Sequence, residues 1–188
     1  MRRRQPARPQ RRPVFFGCEG ESERGYGRLI SRLRDELRPD LHLEMALLRP
    51  GGGDPLALVE LASEKIVHYE RNRKIRYAIR AVLLDNDTLG RDPQRDERMF
   101  RLAQSASLRL IWQEPSHEAL LLRHLDGCQT LRPHNSAAAL SELLRHWPDY
   151  RKGSSADQLL RRIGAQQIAA AAAVEPALRD FLRDIGFL

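Results

Sequence analysis

Acidic residues sit where apolar segments end in this chain, and that placement is its first chemical signal. Leu83-Leu84 runs straight into Asp85-Asn86-Asp87, and Val14-Phe15-Phe16-Gly17-Cys18 runs into Glu19. Carboxylates held close together repel one another unless a cation or a proton sits between them. Side chains two apart in an extended segment share a face, so Asp85 and Asp87 are expected to point the same way. Hard oxygen donors of this kind suit Mg²⁺ or Mn²⁺. Glu19 can add a third ligand or act as a general base. A cap or turn role for each of these residues stands beside the metal reading.

Parallel strands are needed to bring these acids together. Val14 to Cys18 and Leu41 to Leu48 read as strands, as do Tyr77 to Leu84 and Leu108 to Trp112. Between them, Leu29, Ile30, Leu33 and Leu37 recur at helical spacing. Helices are also expected from Leu56 to about Arg73, from Asp92-Pro93 to about Ser105, and from Pro115 to about Leu125. RPGGGDP, from Arg49 to Pro55, is a loop. This alternation predicts an α/β fold with a four-stranded, mainly parallel sheet flanked by helices. In such sheets ligands bind beyond the carboxyl ends of the strands, where Glu19, Asp85, Asp87, Gln113 and Glu114 all fall. Helical patterns at 136–146, 156–163, 165–174 and 176–185 predict a C-terminal helical annex.

The chain has 188 residues, a net charge of +7 and 41% hydrophobic residues. Residues 1–13 hold six arginines (Arg2, Arg3, Arg4, Arg8, Arg11, Arg12) and no acid. Of 32 basic residues those six leave 26, against 25 acidic, so the body is near neutral. The Arg- and Pro-rich segment 1–13 reads as a disordered basic tail, either an inert leader or a contact to phosphate backbone. No apolar run reaches the roughly 18 residues that span a bilayer. No signal core follows the tail, and a cytoplasmic protein of bacterial type without membrane association is expected. Cys18 and Cys128 lie far apart, which argues against a disulfide framework or a cysteine zinc site.

Four short segments resemble the motifs of the RloB-like proteins, in the same order. Phe15 to Glu23, followed by Tyr26, is similar to the opening strand, Cys-Glu-Gly and acidic first helix of that family. Leu83 to Asp87 resembles its Asp-x-Asp element. Gln113-Glu114-Pro115-Ser116-His117-Glu118, with the aliphatic run ending at His124, resembles its third motif. Tyr150-Arg151-Lys152-Gly153 resembles its tyrosine–lysine element. The resemblance covers roughly residues 14–153 and leaves 154–188 as a helical extension. It implies a Toprim-like core, related to OLD-type nucleases, and metal-dependent cleavage of phosphodiester bonds in DNA or RNA, including tRNA, in anti-phage defence. It further implies that Glu19, Asp85, Asp87 and Glu118 hold Mg²⁺ or Mn²⁺ and that Lys152 stabilises charge on the phosphate.

Individual residues keep two readings. Glu118 is expected near the site or as a helix-terminus charge. His124 reads as a satisfied structural histidine, and His117 stands next to Glu118. Glu21 reads as a solvated turn acid, while Glu23 is a candidate to assist the metal. Lys152 is one of only three lysines, with Lys65 and Lys74. A non-catalytic regulatory or accessory subunit of a defence complex is the main rival function. A phosphatase or nucleotidyl transferase is a second, but Gly51-Gly52-Gly53 lacks the Lys-Ser or Lys-Thr of a phosphate loop. A nucleic acid, a partner protein of a defence system and a second copy of the chain are the expected partners.

Overall fold

A computed structural model describes residues 11–36, 40–49 and 53–188. The first ten residues of the expected basic tail, and residues 50–52 of the expected loop, lie outside this range. Strand β1 (Arg12–Cys18) starts within the segment read as tail, because Arg12 and Pro13 already pair with Leu41 and His42. Helix α1 (Glu21–Asp35), β2 (Leu41–Leu47), α2 (Pro55–Arg73), β3 (Ile79–Asp85), α3 (Pro93–Ser105) and β4 (Arg109–Gln113) follow. Then come α4 (His117–Leu122), α5 (Ser136–His146), α6 (Ala156–Leu160), α7 (Ala165–Val174) and α8 (Pro176–Asp184).

The sheet order is β2-β1-β3-β4, and every neighbouring pair is parallel. The fold is thus α/β with a four-stranded parallel sheet between helices, as expected. Alternation along the strands divides two cores. Val14, Phe16 and Cys18 of β1, with Ala81 and Leu83 of β3, face α1 and the C-terminal helices. Phe15, Val82 and Leu84 face α2 and α3. The two-residue period continues to the strand ends and carries Asp85 and its neighbour Gln113 onto the α1 side.

Helix ends follow their capping chemistry. Asp54 and Asp92 each accept backbone N–H bonds at an N-terminus followed by proline. Lys74, at φ 50°, ends α2 in the left-handed region. The C-terminal helices are no satellite: Ile168, Ala172, Leu178, Phe181 and Leu182 belong to the same core as Tyr26 and Leu29 of α1. Phe181 packs on Phe16 with ring centroids 5.3 Å apart. Among the described residues, no helix is long and apolar enough to cross a membrane.

Candidate functional site

Asp85 is the last residue of β3, and the side-chain parity of that strand turns it toward α1 and α4. Its Oδ1 is buried without a hydrogen-bond partner. Burial pushes its carboxyl up to about 8, reinforced by the charges of Glu23, Glu19, Glu118 and Asp87. Four other carboxylates therefore act on one. Burial likewise raises Glu19, helped by Glu23 and Asp87, while the backbone N–H of Gly53 draws it down. Glu19, Asp85, Asp87 and Glu118 thus share one electrostatic neighbourhood.

The route by which Asp87 arrives differs from the expectation. β3 stops at Asp85, so strand alternation no longer governs the residue two further on. Asn86 N–H donates to the Gln113 carbonyl at 3.1 Å, and Leu89 N–H donates to the Asn86 carbonyl at 3.0 Å, which closes a turn. Gly90, at φ 85°, donates to Asp96 at 2.6 Å and holds the turn down. Asp87 sits exposed in that turn while Asp85 stays half-buried.

Glu118 lies in the first turn of α4, 6% exposed. Ser116 donates its hydroxyl to Glu118 Oε2 at 3.1 Å, and Lys152 Nζ lies 3.4 Å from Oε1. Lys152 is itself largely exposed. It arrives from the loop between α5 and α6, which presses on α1 at Gly25. A Cβ at Gly25 would stand 2.1 Å from the Ser154 carbonyl oxygen, so only glycine permits this approach. Gly153 N–H donates to the Ser22 hydroxyl at 2.9 Å and secures the same contact. Tyr150 is buried beside Glu118, and burial raises its hydroxyl.

The two histidines of this region part company. His124 Nδ1–H donates to the Leu120 carbonyl at 2.8 Å, and Tyr26 donates its hydroxyl to Nε2 at 3.0 Å. Burial lowers it to about 4, so it is a neutral, fully paired structural residue. His117 is 2% exposed, with Nδ1 against the Gln113 amide and 4.0 Å from Glu23 Oε1. Burial lowers it too. Its Nε2 is buried with no partner.

Glu23 is the residue the sequence reading undervalued. It is 8% exposed, accepts the Gly20 N–H at 3.0 Å, and is the strongest charge acting on Asp85. The available signal was its place three residues after a helix N-cap, where a glutamate folds back toward the chain entering the helix. Glu21 points outward instead, paired with Arg24 at 2.5 Å and Arg49 at 3.6 Å.

Chemically, the set offers carboxylate oxygens and one cation, which suits a hard divalent ion better than a soft one. Among the described residues, no three His, Cys, Asp or Glu side chains already close on a single point. The buried, unpaired Oδ1 of Asp85 is nonetheless an acceptor in want of a positive partner. Comparison with known proteins adds nothing to this picture: no family model, no curated protein and no solved structure matches the chain.

Proposed function

We propose that this chain is a divalent-metal-dependent nuclease that cleaves phosphodiester bonds in DNA or RNA, with tRNA among its candidate substrates. The observation that carries the reading is Asp85, whose Oδ1 is buried without a partner at the carboxyl end of a parallel sheet and whose carboxyl is raised by burial and by the charges of Glu23, Glu19, Glu118 and Asp87. Such an arrangement destabilises the fold unless a cation or a proton compensates it. Compensation by Mg²⁺ or Mn²⁺ gives the cluster a purpose.

In this reading Glu19, Glu23, Asp85, Asp87 and Glu118 hold the metal. Bound there, the ion would neutralise phosphate charge and activate water. Lys152 serves the substrate side, because its exposed ammonium at the rim can meet a phosphate oxygen while Glu118 orients it. Ser116 fixes Glu118 in turn, and buried Gln113 and His117 support the floor beside Glu23. The RloB-like resemblance of the four motifs agrees with these assignments and adds anti-phage defence as the setting.

The test is incubation of labelled DNA, total RNA and tRNA with Mg²⁺ or Mn²⁺, for wild type and for Asp85→Ala/Asp87→Ala. Metal-dependent cutting by wild type, absent in the double variant, is expected. Melting with and without metal gives a reading that needs no substrate. A ligand at about 100 times its Kd adds about 2.7 kcal/mol of stability. Mn²⁺ should therefore raise the wild-type Tm by several degrees and the variant's by almost none. No shift and no cutting would sink the metal reading and favour an accessory subunit.

A further inference from the structure

A second concavity borders the loop that delivers Lys152. Its volume is about 310 Å³, and it is lined by Trp147, Asp149, Ser154, Gln158, Arg161 and Arg162. That size is within the range of small-ligand sites.

Local chemistry explains why the hollow exists. Trp147 closes α5, with its N–H bonded to the Leu143 carbonyl, and Pro148 prevents the helix from continuing. Ser155 caps α6 and restarts the helix on a new axis. Asp157 of α6 pairs with Arg32, and the Ser154 carbonyl rests on Gly25, so α1 braces the pocket wall.

The guanidiniums of the lining, unlike several others in the chain, are not held by carboxylates. Arg34, Arg73, Arg80, Arg95 and Arg123 all engage carboxylates. Arg161 and Arg162 have no ion pair and no side-chain hydrogen bond among the described residues, and neither does the Asp149 carboxylate. The Gln158 Oε1 accepts the Ser155 N–H at 2.8 Å, which leaves its amide N–H groups free. Trp147, 5% exposed, also lines the hollow. Two free guanidiniums, an aromatic wall, one free acceptor and one free donor make up the donor set. It matches a nucleotide: phosphate for the arginines, base edge for Asp149 and Gln158, apolar ring surface for Trp147.

We propose that this pocket binds an unpaired nucleotide of the substrate strand, next to the phosphate presented to Lys152. Lys152 and Ser154 are two residues apart, so their Cα atoms are at most about 7 Å from each other. That reach is on the scale of neighbouring nucleotides along a strand. The proposal rests on the nuclease reading for the identity of the strand. It adds that the enzyme prefers single-stranded or splayed nucleotides, because a base inside a duplex could not enter the hollow.

The test is binding of short labelled single strands, ribose and deoxyribose in separate arms, in chelator so that no cleavage occurs. Dissociation constants are measured across a salt series. For single strands each phosphate contact contributes about 0.7 to the slope of log K on log salt. Arg161→Ala/Arg162→Ala should therefore flatten the slope by about 1.4 and weaken binding about tenfold at low salt. Arg98→Ala/Arg101→Ala removes the same charge from α3 on the opposite side of the sheet and should leave the slope unchanged. In Trp112→Phe, where Trp147 is the remaining indole, the oligonucleotide should quench emission.

Equal slopes for the two double variants, or no quenching, would overturn the pocket. Cleavage by wild type together with wild-type binding by Arg161→Ala/Arg162→Ala overturns the pocket and leaves the nuclease reading standing. Pocket-dependent binding without cleavage under Mg²⁺ or Mn²⁺ upholds the pocket and removes the nuclease reading.

Discussion

Two ionisable groups in this molecule are treated in opposite ways. Arg34 is wholly buried, yet its Nε donates to the Ile185 carbonyl at 3.0 Å and its Nη1 to the Leu41 carbonyl at 2.9 Å. Asp35 and Asp40 balance its charge at 3.2 and 3.3 Å. Asp85 has four acids for company and a buried oxygen with no partner. The first charge ties α1, β2 and the C-terminus into one body. The second is strain that this body withstands. Structural charges are satisfied from within the fold, whereas functional ones wait for something outside it.

The sharpest break of that contrast is removal of the satisfied charge. Arg34→Met removes the donors to the Ile185 and Leu41 carbonyls and the buried cation beside Asp35 and Asp40, leaving these two acids the longer contacts to Arg11 and Arg12. Unfolding free energy should fall by about 3 kcal/mol, read from the urea midpoint. A loss within experimental error would mean that Arg34 is no clamp.

Gly25 tests how the body positions the strained end. In Gly25→Ala the new methyl meets the Ser154 carbonyl, a backbone atom with little room to retreat. Lys152 should move off Glu118, and cleavage should drop about a hundredfold, as misplacement near 1 Å does. Gly27→Ala is the control, because there the clash is with the Phe16 ring in the core. Gly27→Ala should lower stability with a smaller effect per folded molecule. Equal activity losses would erase the distinction between the two glycines.

Asp85→Asn reverses the sign of the Arg34 result. The folded carboxyl titrates at about 8, above its ordinary 3.8, so the native state holds a proton that the unfolded chain gives up. Stability therefore falls as pH rises through the window from about 4 to about 8. Asn removes that slope. Above pH 8 the variant should be more stable than wild type by something on the order of 2 kcal/mol, and inactive. A variant less stable than wild type at pH 8 would show that the cluster is not strained.

Strand ends were readable from the chain because apolar runs that stop at an acid fix both a strand and the residue at its edge. Glu19 and Asp85 are found by that rule alone. Asp87 was placed near the site for an insufficient reason: β3 ends before it, and a turn held by Asp96 carries it. Glu23 was legible as a candidate beside Glu19, but the Gly25 contact was out of reach, because it depends on how α1 meets a loop more than a hundred residues later, as the Gly153–Ser22 bond at a separation of 131 shows. Likewise, the helices at 156–184 read as an annex, although their apolar faces complete the α1 core. Periodicity reveals that a helix has an apolar face and says nothing of which partner covers it.

The smallest effect separates the two histidines beside the site. Tyr26→Phe deletes one hydroxyl, the donor to His124 Nε2, and should cost about 1 kcal/mol at neutral pH. The pH dependence identifies the cause. His124 titrates at about 4 in the fold, below its ordinary 6.5, so its contribution is lost as pH falls through that interval. A protonated Nε2 cannot accept the tyrosine hydroxyl. The penalty of Tyr26→Phe should therefore shrink toward zero below about pH 4, measured by denaturant unfolding across the range. A penalty that stays constant would assign the tyrosine's role to packing, and His124 would then join His117 as a histidine whose second nitrogen the fold leaves unspoken for.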